Sequence, residues 1–317
     1  MITTPDMQVV AQIGEYFKRV PFNVTQHDLY EASTLYKDYD HNHPESFANC
    51  YDQLIYRHFL ETGKKADTPL ESLARSLHDF EVTQAMNRFL ADYDPKRIVA
   101  VMGGHGLQRN EPMYKEIALL SKELTERGSL MVSGGGPGAM EATHLGAWLA
   151  GRTDEEVELA LYTLTLAPDF KDEGWLEAAF TVMEKYPQKE YKSLSIPTWL
   201  YGHEPSTPFA THIAKLFENS IREDTLLTIS CGGVIFTPGS AGTLQEIFQE
   251  TVQNHYMSFG ISSPMVFLGR KFWDEEVPIY PFMEEMVEKG RYKNLRLTLT
   301  DSSQEAIQEL LAFKNEE

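Results

Sequence analysis

From residue 97 onward, apolar runs that end in glycine alternate with amphipathic stretches, and this alternation restricts the fold more than any other feature of the sequence. "RIVAVMGG" is followed by "EPMYKEIALLSKELTERG", which stops at Gly128, and "SLMVSGGG" by "GAMEATHLGAWLAG". "ELALYTLTLAP" reads as a third strand. After a helix-rich stretch come "GGVIFTPG", the helix "GTLQEIFQETVQNHY", the strands "SPMVFLG" and "NLRLTLT", and a closing helix "SSQEAIQELLAFK". Strands that are apolar throughout, rather than at alternate positions, are covered on both faces. Strand–helix alternation of this kind predicts an α/β chain with a doubly wound parallel sheet. We place that unit at residues 95–317.

Residues 1–94 read differently. They are rich in Tyr, His, Asp and Gln, show no strong strand, and carry helical spacing in patches. In "ESLARSLHDFEVTQAMNRFLADY", Leu73, Leu77, Phe80, Met86 and Phe89 roughly follow the helical period, predicting an apolar face there. "YDPKR", Tyr93 to Arg97, marks the boundary of a helical extension. The net charge is −19, a field that repels nucleic acid and anionic lipid but leaves room for a small phosphorylated ligand held by backbone N–H groups. Two distant cysteines, Cys50 and Cys231, point away from a disulfide framework, and the N-terminal stretch lacks the pattern of a secretory leader. No run approaches the ~18 apolar residues of a membrane span. The expectation is a cytoplasmic protein with neither a nucleic acid nor a membrane as partner.

In a sheet of this kind ligands sit beyond the carboxyl ends of the strands. Three glycine loops fall at that edge: "GGHG" (Gly103 to Gly106), "SGGGPGAM" (Ser133 to Met140) and "PGSAGT" (Pro238 to Thr243). Each follows a strand and leads towards a helix, whose free N–H groups and positive dipole end favour a phosphate. A dinucleotide fingerprint wants an acidic residue about twenty residues on, and Asp154 to Glu156 and Asp169 fit that poorly. A Walker loop wants Gly-Lys-Ser/Thr, which the chain does not contain. His203-Glu204 lacks zincin spacing, so no metal is expected.

The stretch "VMGGHG…EPMYKEIALLSKELTERG…LMVSGGGPGAMEA", followed by "PGSAGTLQE", resembles the lonely guy family, whose members often bear the label "lysine decarboxylase". The resemblance covers about residues 97 to 270. It implies a Rossmann-like domain and hydrolysis of the N-glycosidic bond of a nucleoside 5′-monophosphate, without a cofactor, in a homodimer or larger homo-oligomer. Gly134, Gly135, Gly136, Gly138 and Met140 match the family's first motif; Pro238, Gly239, Gly242, Thr243 and Glu246 match its second. Arg222 stands where the family carries an arginine on the preceding helix. The resemblance thus implies Arg222 and Glu246 as catalytic residues. The three loops, with Gly103, Gly104, His105, Ser240 and Ala241 included, would then bind the substrate. Ser240 departs from the family's second glycine, Ala139-Met140-Glu141 from its Leu-Met-Gly, and Glu223 from the lysine after the arginine. These departures motivate an alternative, a nucleotide sensor that binds without cleaving. A pyridoxal-dependent decarboxylase fits least, because no lysine lies in or beside the glycine loops in sequence.

Overall fold

The computed structural model describes residues 7–315; residues 1–6, part of the stretch read for a leader, lie outside them. Four helices come first: α1 (Met7–Phe17), α2 (Ala32–Leu35), α3 (Tyr51–Glu61) and α4 (Pro69–Leu90). The strands are β1 (Ile98–Met102), β2 (Leu130–Ser133), β3 (Ser193–Ser195), β4 (His212–Ile213), β5 (Gly233–Phe236), β6 (Pro264–Leu268) and β7 (Arg296–Thr300). Between and after them run α5 (Pro112–Glu126), α6 (Ala139–Trp148), α7 (Asp154–Leu164), α8 (Trp175–Lys185), α9 (Asn219–Thr228), α10 (Ala241–Tyr256), α11 (Ile279–Glu288) and α12 (Ser303–Lys314).

The strands lie in the order β4-β3-β2-β1-β5-β6-β7, each parallel to its neighbours. This is the doubly wound, Rossmann-like sheet that the alternation predicts. The order reverses between β1 and β5, the point where such sheets open a crevice. Pairing of Met102 with Phe236 sets the loops after β1 and β5 side by side at that crevice.

Successive residues of a strand point to opposite faces, and each face has its own apolar core. Ile98, Ala100, Met102, Val132, Val234, Phe236 and Phe267 face one core, which also takes in Ile55 and Phe59 of α3, Val82 and Met86 of α4, and Leu226 and Ile247 of α9 and α10. Val99, Val101, Met131, Ile235 and Val266 face the other, packed by α5, α6, α7 and α12. The N-terminal helices therefore cover the face of the sheet that α9 and α10 also cover.

Two expectations are corrected. "ELALYTLTLAP" is not a strand: its first seven residues complete α7, opened by a capping box between Thr153 and Glu156 and burying Val157, Ala160, Leu161 and Leu164 at helical spacing, and the rest is the turn that follows. The third strand is Ser193–Ser195, whose two serines and three-residue length hide it from an apolar-run criterion. The helix over α4 forms as expected, and its predicted apolar face forms in part: Met86 is buried and Leu77 and Phe89 pack on the same core, whereas Leu73 and Phe80 are 43% and 57% exposed. Alongside Met86, α4 buries Glu71, Ala74, Arg75, His78, Asp79, Val82 and Ala85. Those polar groups are matched. Glu71 accepts from Tyr16 Oη at 2.7 Å and Arg75 Nε at 2.6 Å, with His58 Nε2 at 3.1 Å. Burial alone would raise its carboxyl, but hydrogen bonds from His58, Tyr16 and Arg75 outweigh it and hold the pKa at about 2. Asp79 accepts the backbone N–H groups of Phe217 and Glu218 at 2.9 and 2.8 Å, ahead of α9.

A second polar tie lies deeper. Lys215, 1% exposed, reaches Asp52 of α3 at 2.7 Å and donates to Ser206 Oγ at 3.0 Å, while Trp199 Nε1 donates to Asp52 at 3.0 Å. Breaking such a pair from one side strands a buried charge, whereas apolar replacement of both ends is tolerated. Asp52→Asn is expected to lower stability by about 3–5 kcal/mol. Asp52→Leu combined with Lys215→Met should recover most of that loss in the same urea titration. A single variant as stable as the parent would contradict the pairing.

Candidate functional site

The three glycine loops meet at the sheet's carboxyl edge and hold one another. Gly104 N–H donates to Pro238 O at 3.1 Å, and Ala139 N–H to Gly104 O at 3.2 Å. At Gly138, φ is +70°, and a side chain there would strike the Gly104 and His105 carbonyls. Gly103 is backed by Thr237 and Ala139, and Gly239 by the Thr243 hydroxyl. These glycines serve loop-on-loop packing. Thr243 itself is 4% exposed, its hydroxyl tucked against Gly239.

Other predicted residues line open space. Gly134, Gly135, Gly136, Met140 and Arg222 border an open cleft together with Pro197, Thr198, Tyr201, Glu204 and Ser206. A Cβ on Gly134 would lie 2.5 Å from the Arg222 guanidinium and 2.9 Å from Met140 Sδ, so only a bare backbone lets the arginine cross that loop. Arg222 is held from behind, its Nε donating to Ile196 O at 3.2 Å. His105 stands at the rim, its side chain 53% exposed and its Nδ1 3.9 Å from the Glu204 carboxylate. It also borders an adjoining shallow depression with Arg109 and Glu141. Glu141, one of the departures from the motif, is fully used: it accepts from Arg109 at 2.9 and 2.5 Å and from Tyr114 Oη at 2.8 Å.

Ser240, Ala241 and Gly242 are exposed at the start of α10, and no side chain caps that helix. The first turn also holds no acidic residue, which leaves the amino end open to an anion. Glu246 lies one turn further on than an N-terminal glutamate would, so it does not serve to complement the helix dipole. Its carboxyl, half-buried, is pushed up to about 7 by burial; the nearby Arg222 charge opposes the shift and Glu223 adds to it. Glu223, where the resemblance has lysine, is bound by Asn219 Nδ2 at 2.6 Å and Gln245 Nε2 at 2.9 Å, joining α9 to α10.

Behind the second loop, His144 bridges Ser133 Oγ at 2.8 Å and Ser193 Oγ at 3.0 Å, and burial lowers its pKa to about 3, so the imidazole is neutral. Ser133 Oγ in turn accepts Gly135 N–H at 3.1 Å, fixing the loop to β2 and β3.

The sequence reading missed the opposite wall of the cleft. Pro197 to Ser206 supply five of its ten lining residues, and the N-terminal helices support them. Tyr36 Oη donates to Ser206 O, the Tyr56 ring fills the space beside Gly202, and Lys215 holds Ser206 Oγ. Lys215 comes behind the cleft through the fold, but it is buried and paired to Asp52 rather than presented to the space. "YGHEPSTP" carried a signal after all, a carboxylate within a Pro-rich loop.

The raised Glu246 pKa has a stability consequence. The unfolded group ionises near 4.5 and the folded one near 7, so the folded state holds its proton more tightly and stability falls as pH rises between those values. Glu246→Gln is expected to match the parent near pH 4 and to exceed it at pH 8 by on the order of 2 kcal/mol, allowing for solvent at the half-buried carboxyl. Glu250, buried and likewise pushed up to about 7, remains in the variant, so the decline with pH is reduced rather than removed. Thermal unfolding of both proteins at pH 4, 6 and 8 checks this, and a gain independent of pH would refute it.

No family model matches the chain, and no curated protein matches it. Among solved structures, the molybdenum cofactor binding protein from the phototrophic bacterium Rippkaea orientalis is similar at 15% identity with a TM-score of 0.44, over 68% of this chain and 95% of that one. TM1055, a structural-genomics target, is similar at 18% identity and a TM-score of 0.44, over 68% of this chain and 99% of that one. Likeness at this level assigns neither ligand nor activity, and the doubly wound fold rests on the strand order itself.

Proposed function

We propose that the chain hydrolyses the N-glycosidic bond of a nucleoside 5′-monophosphate, releasing free base and ribose 5-phosphate. The observation that carries this reading is one carboxyl, Glu246, that feels the Arg222 charge and follows an uncapped, exposed helix N-terminus by little more than one turn. The amino end of α10 at Ser240 to Gly242 suits the 5′-phosphate. Glu246 then lies a sugar's reach away, where an ionised carboxylate stabilises the positive charge that grows on ribose as the bond to the base breaks. Water adds its hydroxyl to the anomeric carbon, its proton ends on the departing base, and the bonding electrons leave with the base nitrogen. Arg222 holds phosphate or orients Glu246. The exposed stripe Phe248, Val252 and Tyr256 on α10 supports a homodimer formed beside the site, and the reading places the protein in the cytoplasm.

One feature favours the second reading, a nucleotide sensor: Glu223 replaces a cation with a carboxylate and raises the pKa of Glu246. The test is release of free base from AMP, GMP, CMP and UMP by the purified chain. We expect turnover whose kcat/KM rises with pH through about 7, because the ionised form of Glu246 is the active one. Glu246→Gln should lose about 10²–10³ in kcat and abolish that limb. Binding without release of base from any nucleotide would establish the sensor instead.

A further inference from the structure

Glu204 has no assigned part in the reading above, yet it is the one carboxylate lining the cleft. Its side chain is 15% exposed, and two imidazole nitrogens, His203 Nε2 and His105 Nδ1, stand off at 3.7 and 3.9 Å. Among the described residues no donor reaches its carboxylate within hydrogen-bonding distance. With no protein donor on it, that carboxylate keeps its acceptor capacity for a ligand entering the cleft. The space it faces is left open by glycine: Oε2 lies 3.6 Å from where a Cβ on Gly136 would sit. Met140, Pro197 and Tyr201 give the same cleft flat or flexible apolar walls, and Arg222 lies along it. Its loop is held in place, with Glu204 N–H donating to Tyr201 O at 2.9 Å and Tyr56 packed beside Gly202.

We propose that Glu204 selects the base, accepting two adjacent N–H groups from its ring edge, and that the preferred substrate is therefore a guanine nucleotide. The inference rests on the nucleotide-site reading given above. Guanine presents N1–H and the 2-amino group side by side, which a carboxylate takes as a charge-assisted pair. Adenine offers its 6-amino group beside an acceptor nitrogen, and so does cytosine with its 4-amino group; each gives the carboxylate one bond and one repulsion. Uracil sets a single N–H between two carbonyls. Hypoxanthine keeps N1–H but lacks the amino group, so IMP falls between GMP and AMP. Sites that bind a polar edge reject analogues lacking it far more strongly than apolar pockets reject a missing methylene.

The experiment compares kcat/KM for GMP, IMP and AMP in the parent, Glu204→Gln and Glu204→Ala, with circular dichroism to establish that each variant is folded. The parent should favour GMP over AMP by about 100-fold. Glu204→Gln offers one donor and one acceptor, the complement of adenine's edge, and should reverse the order; Glu204→Ala should flatten it. A GMP/AMP ratio that Glu204→Gln leaves within about threefold, or a parent that prefers AMP or a pyrimidine nucleotide, overturns the role of Glu204 and leaves the hydrolase reading standing. If no base is released from any nucleotide, hydrolysis is overturned, and calorimetric binding of GMP and AMP to the same three proteins applies the same ratios to Glu204. Absence of binding by either nucleotide overturns both.

Discussion

A lysine amine placed out of reach of water needs a counter-charge, and Lys215 finds it in Asp52, which belongs to a helix far earlier in the chain. Apolar contacts tolerate sliding; an ion pair at 2.7 Å that also engages Trp199 and Ser206 does not. The contact therefore sets where α3 lies on the sheet, and with it the wall from Pro197 to Ser206. Asp79 does the equivalent for α9, taking its leading N–H groups and so placing the helix that carries Arg222. Two buried carboxylates of the N-terminal helices thus determine the position of two sides of the cleft.

The glycines divide into two kinds of work. Gly103, Gly104, Gly138 and Gly239 let three loops approach one another until their backbones bond directly. Gly134 and Gly136 instead leave room for side chains, Arg222 and Met140 over the first and Met140 and Glu204 over the second. Both kinds are needed. The first makes a rigid rim out of separate turns, and the second leaves the rim open on one side.

This division explains what could be read from residues alone. The sheet was legible, because β1, β5 and β6 carry no polar side chain, β2 is apolar up to Ser133, and each ends in a signal for a turn. The edge where the loops gather was legible for the same reason. β3 was not, since Ser193 and Ser195 bury hydroxyls, one of them bonded to His144. Nor was the seam of α4, where Glu71, Arg75, His78 and Asp79 look like a solvated face and are in fact enclosed by partners far away in sequence. The Glu204 wall escaped notice because what makes it a wall is Tyr36, Tyr56 and Asp52, and no local pattern around "YGHEPSTP" records them.

The outer strand of the sheet, β4, is only two residues long, and Tyr30 closes it with a reciprocal pair of backbone bonds to Ile213 at 2.9 and 2.7 Å in the antiparallel sense. An open strand margin is a template on which other chains can add themselves. Here the ladder is finished within the same molecule by a residue whose ring is itself fully enclosed, so the segment before α2 acts as a hem. Ile213 thus spends both its backbone groups inside the molecule, and strand addition is denied its starting place at that residue.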